Sequence, residues 1–158
     1  MRKLSSEDLN NVVLDTNVLV IASGEKSSPE IASEECLRAL WLILELWRRC
    51  SRIYLSKKIY QEYYRNVFEK RRSTQLNVWF TGMLQKGKFK FREPDINPPR
   101  TLKVNEKDIE FIKVALASNS TIISNDSDLI NAKNTLKEHH IYVITAEEAC
   151  RLLESLRD

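Results

Sequence analysis

The stretch VVLDTNVLV, Val12 to Val20, sets three polar residues, Asp15, Thr16 and Asn17, between two apolar runs. Val12-Val13-Leu14 reads as a short inner strand. A carboxylate at the end of such a strand is partly desolvated, and a desolvated charge is costly without a partner. The rest of the chain has to supply what makes Asp15 tolerable.

Further short strands follow at Arg52–Ser56 (RIYLS), Thr121–Ser124 (TIIS) and Ile141–Ile144 (IYVI). Between them, apolar periodicity predicts helices from Pro29 to near Cys50, Lys57 to near Arg72, Thr74 to near Gln85 and Asn105 to near Ser118. Ser28 with Pro29, and Asn105, are helix starts, and Thr145 with Glu148 is a capping box opening the last helix. Gly87, Pro94, Pro98 and Pro99 make Gly87–Pro99 a loop. Within it, Phe89 and Phe91 alternate with Lys88, Lys90 and Arg92 as an exposed or edge strand. Strands alternating with helices predict the α/β class: a three-layer α/β/α sandwich around a mostly parallel central sheet. At 158 residues, one domain spanning 1–158 is expected.

Composition narrows the function classes. Hydrophobic residues make up 42% of the chain, with only 3 Gly and 4 Pro, which excludes a disordered or fibrous protein. Cys36, Cys50 and Cys150 are odd in number and lack C-x-x-C spacing, and His139 and His140 lie far from them, so neither a disulfide framework nor a zinc site is indicated. The N-terminal SSEDLNN is no signal-peptide core. ALWLILELW is too short to span a bilayer and carries Glu45, so a soluble, cytoplasmic protein without membrane contact is expected. The net charge is +3, yet Arg65–Arg92 holds eight basic residues and one acid, Glu69. Such separation suits a polyanionic partner.

In open α/β sheets, ligands bind beyond the carboxyl ends of the strands. Asp15 and Asp126 stand just past two strand ends. Glu62 shares a helical stripe with Ile59, Tyr63 and Val67, and Asp108 shares a side with Ile112 and Ala115. The four acids are therefore expected to converge, with no compensating Lys or Arg in their segments. Unrelieved, their repulsion would raise their pKa values and destabilise the fold. A divalent cation relieves it, and all-oxygen ligands favour Mg²⁺ or Mn²⁺ over Zn²⁺.

Taken in order, VVLDTNVLV, YLSKKIYQEYYRNV, DIEFIKVALA and IISNDSDLI resemble the four motifs of a PIN domain, over roughly Asn11 to Glu148. The resemblance implies a metal-dependent ribonuclease, an endonuclease hydrolysing RNA phosphodiesters, either the toxin of a toxin–antitoxin pair or an RNA-processing enzyme. It implies Asp15, Glu62, Asp108 and Asp126 as catalytic metal-site acids, with Asp128 a peripheral fifth ligand. Thr16, Asn17 and Ser124 match positions that orient the acids or the scissile phosphate. The implied partners are single-stranded or looped RNA, an antitoxin protein and a second copy of the chain. Lys86, Lys88, Lys90 and Arg92, with Phe89 and Phe91 between them, are the candidates for touching RNA.

Each residue also has a plainer reading. Asp15 suits a turn, Glu62 a helix edge, Asp108 a dipole-complementing cap, and Asp126 and Asp128 an Asx-turn or N-cap. The basic run suits a solvated face. A haloacid-dehalogenase-like phosphatase would need an acid where Asn17 stands, and a receiver-type phosphoacceptor a lysine after the late strand. A PIN-like module that binds RNA or protein without turnover is the main alternative.

Overall fold

The computed structural model describes residues 3–24, 29–70, 74–98, 102 and 104–155, with side chains from 34 onward in the long second helix. Five strands form one sheet: β1 (Asn11–Leu14), β2 (Arg52–Leu55), β3 (Phe89–Phe91), β4 (Thr121–Ile123) and β5 (Val143–Ile144). Their spatial order is β3-β2-β1-β4-β5 and every pairing is parallel. The sequence leads to a mostly parallel sheet; the described one is parallel throughout.

Parallel sheets are covered on both faces, so their central strands carry apolar side chains on each. Val12, Val13 and Leu14 of β1 are accordingly all 0% exposed. The helices are α1 (Thr16–Ala22), α2 (Pro29–Arg48), α3 (Lys57–Tyr63), α4 (Thr74–Gln85), α5 (Ile109–Ser118), α6 (Ser127–Asn131), α7 (Lys133–Glu138) and α8 (Ala146–Glu154). Helix α5 packs across β1, β2 and β4, while α2 packs on α1, α4 and α8. The architecture is a three-layer α/β sandwich.

Helix starts obey local chemistry. Ser56 accepts from the Ile59 amide at the head of α3, and Thr145 accepts from the Glu148 amide in the capping box of α8. Asn105 caps a single 3-10 turn, Glu106–Asp108, that leads into α5. At the other end of α5, Asn119 adopts φ 53°, a left-handed position that asparagine tolerates better than most residues and that stops the helix.

Several elements differ from expectation. The apolar run after Asn17, left unassigned in the sequence, belongs to α1, which starts at Thr16 immediately after Asp15 and buries Val18, Leu19 and Ala22. The helix expected to run to Arg72 is α-helical only to Tyr63 and then widens into a π-helical turn, Tyr64–Phe68. Ser28, Arg71 and Arg72 lie outside the described residues. Phe89–Phe91 is a true edge strand, but Phe89 is only 6% exposed, wedged against Trp79 and Phe80. That ring is closed to a base, whereas Phe91 packs against Tyr60 with ring centroids 5.7 Å apart and is still 54% exposed. Among the described residues, no helix is long and apolar enough to cross a membrane.

Candidate metal centre

The strand order reverses direction between β1 and β4. From β1 the chain winds outward through β2 and β3, then crosses to β4 and β5 on the other side. Loops leaving two such neighbours diverge, and the crevice between them is the usual ligand position in open parallel sheets. Asp15 follows β1 and Asp126 lies just beyond β4, so both carboxylates stand at this crevice. Asp108 enters from the 3-10 turn that precedes α5. Carboxylate oxygens of Asp15, Asp108 and Asp126 all lie within 4.8 Å of one another.

Hydrogen bonds fix this geometry. The Ser124 hydroxyl, fully buried, donates to Asp15 Oδ2 at 2.7 Å and accepts from the Asp126 amide at 3.0 Å. The Asp15 amide continues the ladder by donating to the Ile123 carbonyl at 2.9 Å. The Tyr63 hydroxyl, also buried, donates to the Leu14 carbonyl and anchors the end of β1 from α3. Asn17 Oδ1 accepts from the Asn125 amide, and Asn125 Oδ1 accepts from the Ala146 amide, tying together the segments after β1, β4 and β5.

Burial makes these charges expensive. Asp15 is 6% and Asp108 2% exposed. Desolvation, more than any neighbouring charge, lifts the Asp108 carboxyl from 3.8 to about 7, with Asp126 and then Asp15 adding repulsion. Asp15 is lifted by the same desolvation, offset in part by the Ser124 hydrogen bond. Asp108 Oδ2 is buried and has no hydrogen-bond partner among the described residues. A buried carboxylate with an orphaned oxygen, set beside two other carboxylates, has the donor chemistry of an all-oxygen cation site.

Glu62 stands beside this group rather than in it. Its carboxyl is raised first by desolvation and then by the Asp15 charge, and the Thr16 hydroxyl pulls it down. That hydroxyl is buried near Glu62 and makes no aligned hydrogen bond among the described residues. Asp128 is exposed and accepts from Asn105 Nδ2 at 3.3 Å, outside the trio.

The expectation that no Lys or Arg compensates the acids is wrong. Lys107 Nζ lies 3.2 Å from Asp126 Oδ2 and 3.7 Å from Asp128 Oδ2. It directly precedes Asp108, and its partners are some twenty positions further on, so only the fold brings them together. Next to it a groove of ≈ 520 Å³ is lined by Lys58, Glu62, Arg65, Asn66, Lys107 and Glu110. Of these cations Arg65 belongs to the basic segment that suits a polyanion, whereas Lys58 and Lys107 went unremarked in the sequence.

The four cations expected to face RNA are spread along β3 instead of gathered at the acids. The Ile53 amide donates to the Lys88 carbonyl, placing Lys88 where β2 and β3 begin, at the sheet edge opposite the carboxylates. Lys86 precedes it, with Nζ 5.6 Å from the Trp47 ring centroid. Lys90 is exposed in the middle of β3. Arg92 alone reaches the carboxyl edge, where its amide donates to the Leu55 carbonyl and its guanidinium lies over Tyr54. Compared with protein-family models and with curated proteins, the chain finds no match.

Proposed function

We propose that this chain is a metal-dependent ribonuclease, an endonuclease that hydrolyses RNA phosphodiester bonds at the crevice between β1 and β4. The observation that supports it most directly is the convergence of Asp15, Asp108 and Asp126 with Asp108 Oδ2 left unpartnered in the interior. The donor set is entirely oxygen, which suits Mg²⁺ or Mn²⁺. Asp15, Asp108 and Asp126 would hold the ion, with Glu62 within reach of a bound water. When bound, the ion supplies charge neutralisation at the phosphate and a lowered pKa for an attacking water.

The protein's own part is positioning. Ser124 holds the Asp15 carboxylate and the Asp126 backbone in one register, so both acids are set before substrate arrives. The groove with Lys58, Arg65 and Lys107 offers a seat for the phosphodiester backbone alongside the acids. His139 and His140 follow α7 and precede β5, at the amino ends of the strands, so an imidazole base has no access to the crevice.

Incubating the purified protein with a mixed single-stranded RNA pool tests this. Cleavage is expected with Mg²⁺ or Mn²⁺, lost in EDTA and lost in Asp15→Asn while the circular dichroism spectrum is kept. Equal cleavage by wild type and Asp15→Asn would refute it. A second reading, an RNA-binding module without turnover, is favoured by Lys107 already sitting on Asp126. RNA retained by the protein but left intact at every metal concentration would select that reading.

A further inference from the structure

We propose that Lys107 is a built-in competitor for the metal at Asp126, setting the divalent-ion concentration at which the centre fills; this rests on the metal-site reading above. Both oxygens of the Asp126 carboxylate are engaged. Oδ1 accepts from the Asp128 amide at 3.1 Å and Oδ2 faces Lys107 Nζ at 3.2 Å. Asp15 differs: its described partner at Oδ2 is the neutral Ser124 hydroxyl. Asp108 Oδ2 has no partner among the described residues. Of the three converging acids, Asp126 is therefore the one that already holds a cation.

A divalent ion drawing on Asp126 Oδ2 meets that ammonium at close range. Two cations on one carboxylate oxygen repel, so the ion either tolerates the lysine or displaces it. Displacement is open sterically, because the Lys107 side chain is 59% exposed on a flexible stem. Asp128 Oδ2, already 3.7 Å away and half exposed, is a second holding point for the ammonium. Lys107 also lines the ≈ 520 Å³ groove with Lys58 and Arg65, so a lysine released from Asp126 remains where a phosphodiester would pass. Asp128 thereby acquires a role different from that of a fifth metal ligand: it parks the lysine.

Titration calorimetry with Mn²⁺ on metal-free wild type, Lys107→Met and Lys107→Arg tests the proposal without using activity. Lys107→Met is expected to bind Mn²⁺ about fivefold more tightly, the scale of a partly exposed charge interaction with a divalent ion. Lys107→Arg, which keeps the charge, is expected to stay within about twofold of wild type. The metal-free thermal midpoint should fall in Lys107→Met, since the acids lose their nearest cation. Equal or weaker Mn²⁺ binding by Lys107→Met overturns the proposal while leaving the metal-site reading intact. Silence from wild type and both variants overturns the metal-site reading itself, and this proposal with it. Binding by Lys107→Met alone would be the competition in its strongest form.

Discussion

Replacing Asp108 by asparagine is expected to stabilise the metal-free protein above neutral pH, although it removes a proposed functional group. The Asp108 carboxyl titrates near 7 in the fold against an ordinary 3.8. At ~1.4 kcal/mol per pKa unit, the ionised side chain costs the native state up to about 4 kcal/mol. Relaxation of the site and entry of water reduce that, so ~2–4 kcal/mol is the working figure. The sign follows from proton binding: between about pH 4 and pH 7 the unfolded chain has released this proton and the native chain still holds it. Metal-free wild type should therefore lose stability as pH rises through that window, then level off above it. Asp108→Asn lacks this loss, so its advantage should be near zero at pH 4 and full at pH 8. For a chain of this length, 1 kcal/mol moves the thermal midpoint by about 3 °C, giving ~6–12 °C at pH 8. Scanning calorimetry in EDTA from pH 4 to pH 9 reads it directly. Adding Mn²⁺ should close or reverse the gap, because the ion stabilises only the form that binds it. A gap that does not change with pH, or a variant less stable than wild type at pH 8, would refute the desolvation argument.

Ser124→Ala removes, at a fully buried position, the donor to Asp15 and the acceptor for the Asp126 amide. Urea denaturation should show a loss of ~1–3 kcal/mol, and RNA cleavage at least a tenfold fall. Charge reversal at Lys58 and Arg65 should weaken binding of a fluorescent single-stranded RNA by more than about tenfold and flatten its salt dependence, whereas reversal at Lys86 and Lys88 should change it by less than about twofold; fluorescence anisotropy in EDTA separates the two. Gly82→Ala places a methyl 2.9 Å from Trp47 Cζ2, where α4 meets α2. It should cost ~1–3 kcal/mol by chemical denaturation unless the indole turns aside, which a shift in tryptophan emission would report.

Much of the fold was legible because it rests on local patterns. The apolar runs at Val12 and Ile122 are strands buried on both faces, which announce themselves without alternation, whereas β2 alternates, with Ile53 and Leu55 buried between exposed Arg52 and half-buried Tyr54. Helix α1 was not legible. Val18, Val20 and Ile21 have poor helix propensity, and what makes this segment helical is the burial of Val18, Leu19 and Ala22 beside α2. Phe89 and Phe91 share a face of β3, as their spacing requires, but Trp79 and Phe80 cover only the first. Local spacing cannot show where a neighbouring helix ends. For the candidate centre, the rule of strand ends led to Asp15 and Asp126, and helical phase led to Asp108 and Glu62. The direction of β3 was open in the sequence, and that direction decides that Lys86 and Lys88 start their strand far from the acids. Nor does any spacing connect Lys107 with Asp126.

The presence of Lys107 alters the electrostatic argument without removing it. A cation 3.2 Å from Asp126 offers a simpler account, in which the acids form an ordinary salt bridge. Two observations count against that. The lysine is mostly solvated, so its field is screened by water before it reaches the interior. Asp108 meanwhile remains raised to about 7 with Lys107 as its adjoining residue, because the dominant cause is desolvation. An exposed ammonium that pairs with one carboxylate cannot solvate another carboxylate oxygen that is sealed from water. Among the described residues Asp108 Oδ2 has no partner, and under the proposed function its partner is a ligand entering the trio itself, carrying enough charge to offset three carboxylates and small enough to lie among oxygens within 4.8 Å of one another. The divalent cation proposed above meets both conditions, whereas a proton on Asp108 relieves one charge of the three. On that proposal Lys107 moderates the need for a divalent ion without reaching the buried oxygen of Asp108.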